Sequence, residues 1–147
     1  MPSSNDYLIL AERDRRYAEF GERGFPDDFD VGNSAYLMEQ AVEKLLKGLI
    51  LMYGETAAFT HDIGKLRNHA IKLGIEVPED LEFVADSLTL WGTKVRYDPS
   101  VTVSETLYKK AVSVYEALHE KLVFEIAQVQ ETDEDETEAE EPGIKME

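Results

Sequence analysis

The sequence predicts an all-α fold, an antiparallel up-and-down helical bundle of four to five helices. Three observations predict it. Apolar residues recur at three- and four-residue spacing through most of the chain, no segment shows the alternation of a half-buried strand, and caps and stops fall between the periodic stretches. With 147 residues, 43% of them hydrophobic, the chain suits one globular domain.

Residues 4–20 read as a first amphipathic helix with Tyr7, Leu8, Ala11 and Ala18 on its inner side and Arg13, Arg15 and Arg16 among its polar positions. Gly21 to Asp30, with two glycines and Pro26, reads as a loop. Over 31–53 a broad apolar face, Leu37, Met38, Ala41, Val42, Leu45, Leu46, Leu49 and Met52, marks the central helix of a bundle, and Gly54 stops it. Thr60 is a candidate cap for a helix over 61–73, which buries Ile63, Leu66, Ala70 and Leu73 and ends at Gly74. Pro78 opens a fourth helix that turns Leu81, Val84, Leu88 and Trp91 inward and fades near Lys94. Thr102 and Glu105 have capping-box spacing for a long last helix with Leu107, Ala111, Val114, Leu118, Leu122, Ile126 and Val129 on its stripe. The expected division is a bundle over 1–130 and an acidic, unordered tail over 131–147.

Charge narrows the function. Of the net charge of −16, half lies in residues 131–147, which hold nine acids and one lysine. An acidic body repels phosphate within about a Debye length, so any nucleic-acid contact must rest on a local basic patch. The chain has no cysteine, which excludes disulfides, thiolate metal sites and thiol nucleophiles. No apolar stretch approaches the ~20 residues of a spanning helix, and the N-terminus lacks the order of a secretory signal, so a cytoplasmic location without membrane contact is expected.

On the helical wheel Tyr36, Gln40, Glu43 and Lys47 fall within about 60° of one another. This stripe reads either as a solvent-facing strip with a Glu43–Lys47 pair or as one wall of a ligand cleft, lysine meeting phosphate and glutamine a base edge. At the Lys94–Pro99 turn, Arg96 could grip phosphate and Tyr97 could stack on a base, or Arg96 could pair with Glu43 or Asp98 to lock the loop. His61 stands at a helix start, where capping competes with anion binding. His61 and His69 are eight residues apart, about 80° out of line, and no metal-ligand or other catalytic motif occurs, so no metal, cofactor or catalytic residue is assigned.

The stretch Tyr36-Leu-Met-Glu-Gln40-Ala-Val-Glu43-Lys44-Leu-Leu-Lys47-Gly-Leu resembles the second-helix signature of HEPN (higher eukaryotes and prokaryotes nucleotide-binding) domains of prokaryotic type. Thr60-His61-Asp62-Ile63-Gly-Lys65-Leu66 looks like that family's His-Asp-Leu segment, and Arg96-Tyr97-Asp98-Pro99 is similar to its Arg-Tyr-Pro turn. The likeness spans residues 5–128 and implies a helical bundle, commonly a homodimer, often encoded beside a minimal nucleotidyltransferase in toxin–antitoxin pairs. Many members are metal-independent ribonucleases in which a histidine follows an arginine by a few residues. This chain departs there: Val101, Thr102 and Val103 hold the corresponding positions after Arg96, His119 is far downstream, and Arg67 and His69 are too close together. The reading is therefore a noncatalytic nucleotide- or RNA-associated partner module, with Arg96, Tyr97, Lys47, Glu43, Gln40 and His61 as candidate contacts. A ribonuclease toxin with a displaced Arg/His site and a purely structural interaction module are the alternatives.

Overall fold

The central helix is the one the sequence marks as broadest in apolar character. The computed structural model describes residues 2–25 and 30–140, and the element order is α1 (Ser4–Gly21), a short 3-10 turn (Glu22–Gly24), α2 (Asp30–Met52), α3 (Ile63–Lys72), α4 (Asp80–Thr93) and α5 (Glu105–Glu140). No strand occurs among the described residues. Met38, Ala41, Val42, Leu45, Leu46 and Leu49 of α2 are fully buried, and Leu37 and Met52 pack at the rim of the core. Every other helix lies against α2.

α1 begins at a reciprocal cap, Asp6 N–H donating to Ser3 Oγ and Ser3 N–H to the Asp6 carboxylate. It runs antiparallel to α2, because contacts near its start reach late in α2 and contacts near its end reach early. Ser4 Oγ donates to the Gly48 carbonyl (3.0 Å), Lys44 pairs with Asp14 (2.5 Å), and Ser34 Oγ donates to the Ala18 carbonyl (2.7 Å). α5 is antiparallel to α1 in the same way, through Tyr108 Oη to Glu22 (2.8 Å) and His119 to Glu12 (2.7 Å). A Cβ on Gly48 would stand 2.9 Å from Leu122 and 3.2 Å from Tyr7, so this glycine permits α1, α2 and α5 to meet closely. Trp91 of α4 and Tyr108 of α5 close the core with ring centroids 6.2 Å apart.

Gly54 and Gly74 take φ of +90° and +87°, the left-handed conformation that ends a helix without a Cβ penalty. α4 gives out at Lys94, whose N–H reaches the Leu90 carbonyl. Three helix starts differ from expectation. Asp62, not Thr60, caps α3: its carboxylate accepts from Lys65 N–H, while Thr60 Oγ1 accepts from Asp62 N–H one turn earlier. Pro78 starts a lead-in turn, accepting from Leu81 N–H, and α4 proper begins at Asp80. Ser104, not Thr102, caps α5, its hydroxyl accepting from Leu107 N–H (3.3 Å). In α3 and α5 the capping acceptor lies two residues nearer the first helical turn than expected, and α4 has no side-chain cap.

Pro26 and the rest of 26–29 in the expected loop, and 141–147 in the expected tail, lie outside the described residues. α5 continues through Glu140, into the acidic run assigned to an unordered tail. Ile126 is the last of its apolar side chains packed against the core. No helix among the described residues is long and apolar enough to cross a membrane.

Candidate functional site: the outward face of α2

The stripe of α2 bearing Tyr36, Gln40, Glu43 and Lys47 is bounded by α1 on one side and by α3 and α4 on the other. It is not the solvent-facing strip that spacing alone allows: Glu43 is 5% exposed and the Lys47 side chain 14%. Two features of the neighbouring elements bring this about. The Thr89 hydroxyl of α4 accepts from Ile63 N–H (3.0 Å), which pins the start of α3 and carries His61 over α2. Gly92 lets α4 settle directly on Glu39, where an added Cβ would lie 2.5 Å from the carboxyl carbon.

Glu43 is the hub of this cluster. It accepts from Lys47 Nζ (2.8 Å) through one oxygen, and its other oxygen lies 3.0 Å from His61 Nδ1. Burial pushes its carboxyl up, but the bonds to Lys47 and His61 outweigh burial and hold it below the ordinary glutamate value. Glu39, one turn earlier and fully buried, has the opposite fate. Burial first, then the charge of Glu43, push it up to about 9, so Glu39 is a neutral acid at pH 7. Its Oε1 accepts from Gln40 Nε2 (2.7 Å), while Oε2 is buried without a protein partner. Sequence reasoning misses Glu39 and Gly92. A signal for Glu39 is present, since Glu39 and Glu43 form a like-charged i,i+4 pair that would repel if both ionised.

Arg96 belongs to a second centre. The α4–α5 turn is built by Tyr97 and Asp98 N–H groups donating to the Lys94 carbonyl and is seated on α2 by Val95 against Gly32, whose Cβ would be 3.3 Å away. Arg96 then lies with its guanidinium carbon 4.5 Å from the centre of the Tyr36 ring. Neither carboxylate named as its partner takes that role. Glu43 is engaged by Lys47 and His61, and Asp98 accepts from Ser100 Oγ (2.6 Å) and N–H (3.0 Å), bonds that hold its carboxyl below the ordinary value. Among the described residues no carboxylate is within ion-pair distance of Arg96. Tyr97 beside it is 83% exposed.

The six candidate residues thus divide. Arg96 and Tyr97 form an open edge with Tyr36, whereas Lys47 and His61 are engaged by Glu43 and Gln40 by Glu39. Tyr36 and Lys47 are eleven residues apart, about 16 Å along the helix axis, so Arg96 and Lys47 do not close on one small anion. Lys47 neutralises Glu43, and His61 ties the α2–α3 connection to α2. Among the described residues no group of three or more His, Asp or Glu side chains could hold a metal ion.

An all-α bundle of this kind agrees with what the comparisons find. The model of the HEPN domain matches residues 7–126, and the chain belongs to that family. Among solved structures, TT1696 from Thermus thermophilus aligns with a TM-score of 0.60 at 24% identity, over 87% of this chain and 98% of that one, a likeness of fold. Among curated proteins none matches.

Proposed function

We propose that the protein is a noncatalytic nucleotide- or RNA-associated HEPN module whose contact edge is Arg96, Tyr97 and Tyr36. One observation carries this reading: the Arg96 guanidinium lies on an aromatic ring, with no carboxylate at ion-pair distance among the described residues, beside a tyrosine ring open to solvent. Stacking holds the guanidinium plane while its N–H edge stays free for phosphate, and Tyr97 offers a face to a base. Binding is favoured over cleavage because His61, held by Glu43 about 10 Å along the axis from Tyr36, stands away from the Arg96 edge. The family supports the wider setting, a homodimer paired with a nucleotidyltransferase in a toxin–antitoxin system.

Arg96→Ala is expected to weaken binding of AMP at least tenfold, read by calorimetry, with helical content unchanged because Arg96 is exposed. Unchanged AMP affinity in a folded Arg96→Ala protein would remove this edge from the proposal. Release of fragments from RNA by metal-free wild-type protein, lost in His61→Ala or His119→Ala, would replace it with the ribonuclease reading.

A further inference from the structure

The outer face of α1 carries a cluster that the Arg96 edge does not use. Arg13, Arg16, Tyr17 and Phe20 fall within about 100° on the wheel. Tyr17 and Phe20 are 60% and 74% exposed, with ring centroids 6.3 Å apart. Arg15 turns the other way, to Glu22 and Glu19, and Lys44 of α2 is matched by Asp14. Arg13 and Arg16 are exposed and, among the described residues, have no carboxylate at ion-pair distance. In a protein of net charge −16 these are local exceptions to the prevailing sign.

A groove joins the patch to α2, the helix that carries Tyr36. Tyr17 and Phe20 line a groove of about 380 Å³ whose opposite wall is Asn33 and Leu37 of α2. Tyr36, which carries Arg96, lies between those two residues in sequence and on the adjoining part of the same helix face. Exposed arginines and rings therefore lie together across α1 and α2, two helices side by side that span about 20 Å with their side chains. That is wider than one nucleotide needs. Cation beside ring is the pattern that recognises a single strand, charge meeting phosphate and ring meeting base, and an acidic peptide would use the arginines but leave the rings without partners.

We infer that the α1 face formed by Arg13, Arg16, Tyr17 and Phe20 is a second subsite that lets the protein hold a single-stranded RNA segment across α1 and α2, rather than a mononucleotide alone. This rests on the Arg96 reading and extends it.

The test measures AMP and a fluorescent ten-nucleotide oligouridylate on the full chain, for wild type, Arg13→Ala/Arg16→Ala, Phe20→Ala and Arg96→Ala, with solution mass recorded for each. The α1 variants should bind the decamer about tenfold more weakly with AMP affinity unchanged. The double arginine variant should also reduce the salt dependence by about 1.4 in slope, two phosphate contacts on a single strand. Wild-type binding of AMP without the decamer, or decamer affinity unchanged in both α1 variants, overturns the second subsite and leaves the Arg96 edge standing. A change in solution mass without a change in decamer affinity also overturns it, in favour of a contact between copies. Wild type that binds neither probe overturns both.

Discussion

Gly92→Ala is expected to destabilise the protein by about 3 kcal/mol, lowering the melting temperature by roughly 10 °C. The added Cβ would stand 2.5 Å from Glu39 Cδ and Oε1 and 2.7 Å from its Cγ. A flexible exposed glutamate would swing aside at little cost, but Glu39 is fully buried and has no route to water that leaves the helices in place. Either α4 lifts from α2, exposing the Trp91 contact, or the carboxyl is displaced and its bond to Gln40 is lost. Truncating the obstacle should reverse the effect, so Gly92→Ala/Glu39→Ala should be substantially more stable than Gly92→Ala, a positive coupling in a double-mutant cycle read by urea unfolding. A Gly92→Ala protein that melts within about 2 °C of wild type would mean that α4 does not rest on Glu39.

These two residues show where sequence reading reaches and where it stops. The buried face of α2 is legible because 3.6-residue periodicity is a local property, and Met38, Ala41, Val42, Leu45, Leu46 and Leu49 all lie where it puts them. The caps of α3 and α5 are not, because Thr60 and Asp62, like Thr102 and Ser104, are competing acceptors within one turn. Only the backbone decides between them: Asp62 takes the extended φ of −82° and ψ of 107° from which its carboxylate meets Lys65 N–H. The spacing that groups Tyr36, Gln40, Glu43 and Lys47 is readable, but their burial is not, since it depends on what α3 and α4 lay over them. Arg96 is the sharpest instance. Its nearest carboxylate in sequence, Asp98, is engaged by Ser100, and its ring partner stands sixty residues earlier on another helix.

Glu39→Gln is expected to stabilise the protein at pH 8 by up to about 5 kcal/mol and to leave it nearly unchanged at pH 4. The sign follows from the raised folded-state value. Unfolded, Glu39 loses its proton near 4.5; folded, burial and the Glu43 charge hold the proton up to about 9. Between those two values the folded chain binds a proton that the unfolded chain has released, so stability falls as pH rises across that window. Glutamine removes this dependence while keeping the shape, and its carbonyl oxygen can accept from Gln40 as the neutral acid does. Glu43 acts in the reverse direction: its lowered value gives stability present above 4.5 and lost in acid. Asp14, raised by burial against the pull of Lys44, is common to both proteins and cancels from the difference. Thermal melts from pH 4 to 9 should therefore show the two curves together in acid and separating steadily above 4.5, with the variant higher. Parallel curves over the whole range would mean that the Glu39–Glu43 pair takes up no extra proton on folding, because a proton held by either carboxyl of the pair would be lost with the Glu39 charge in the variant.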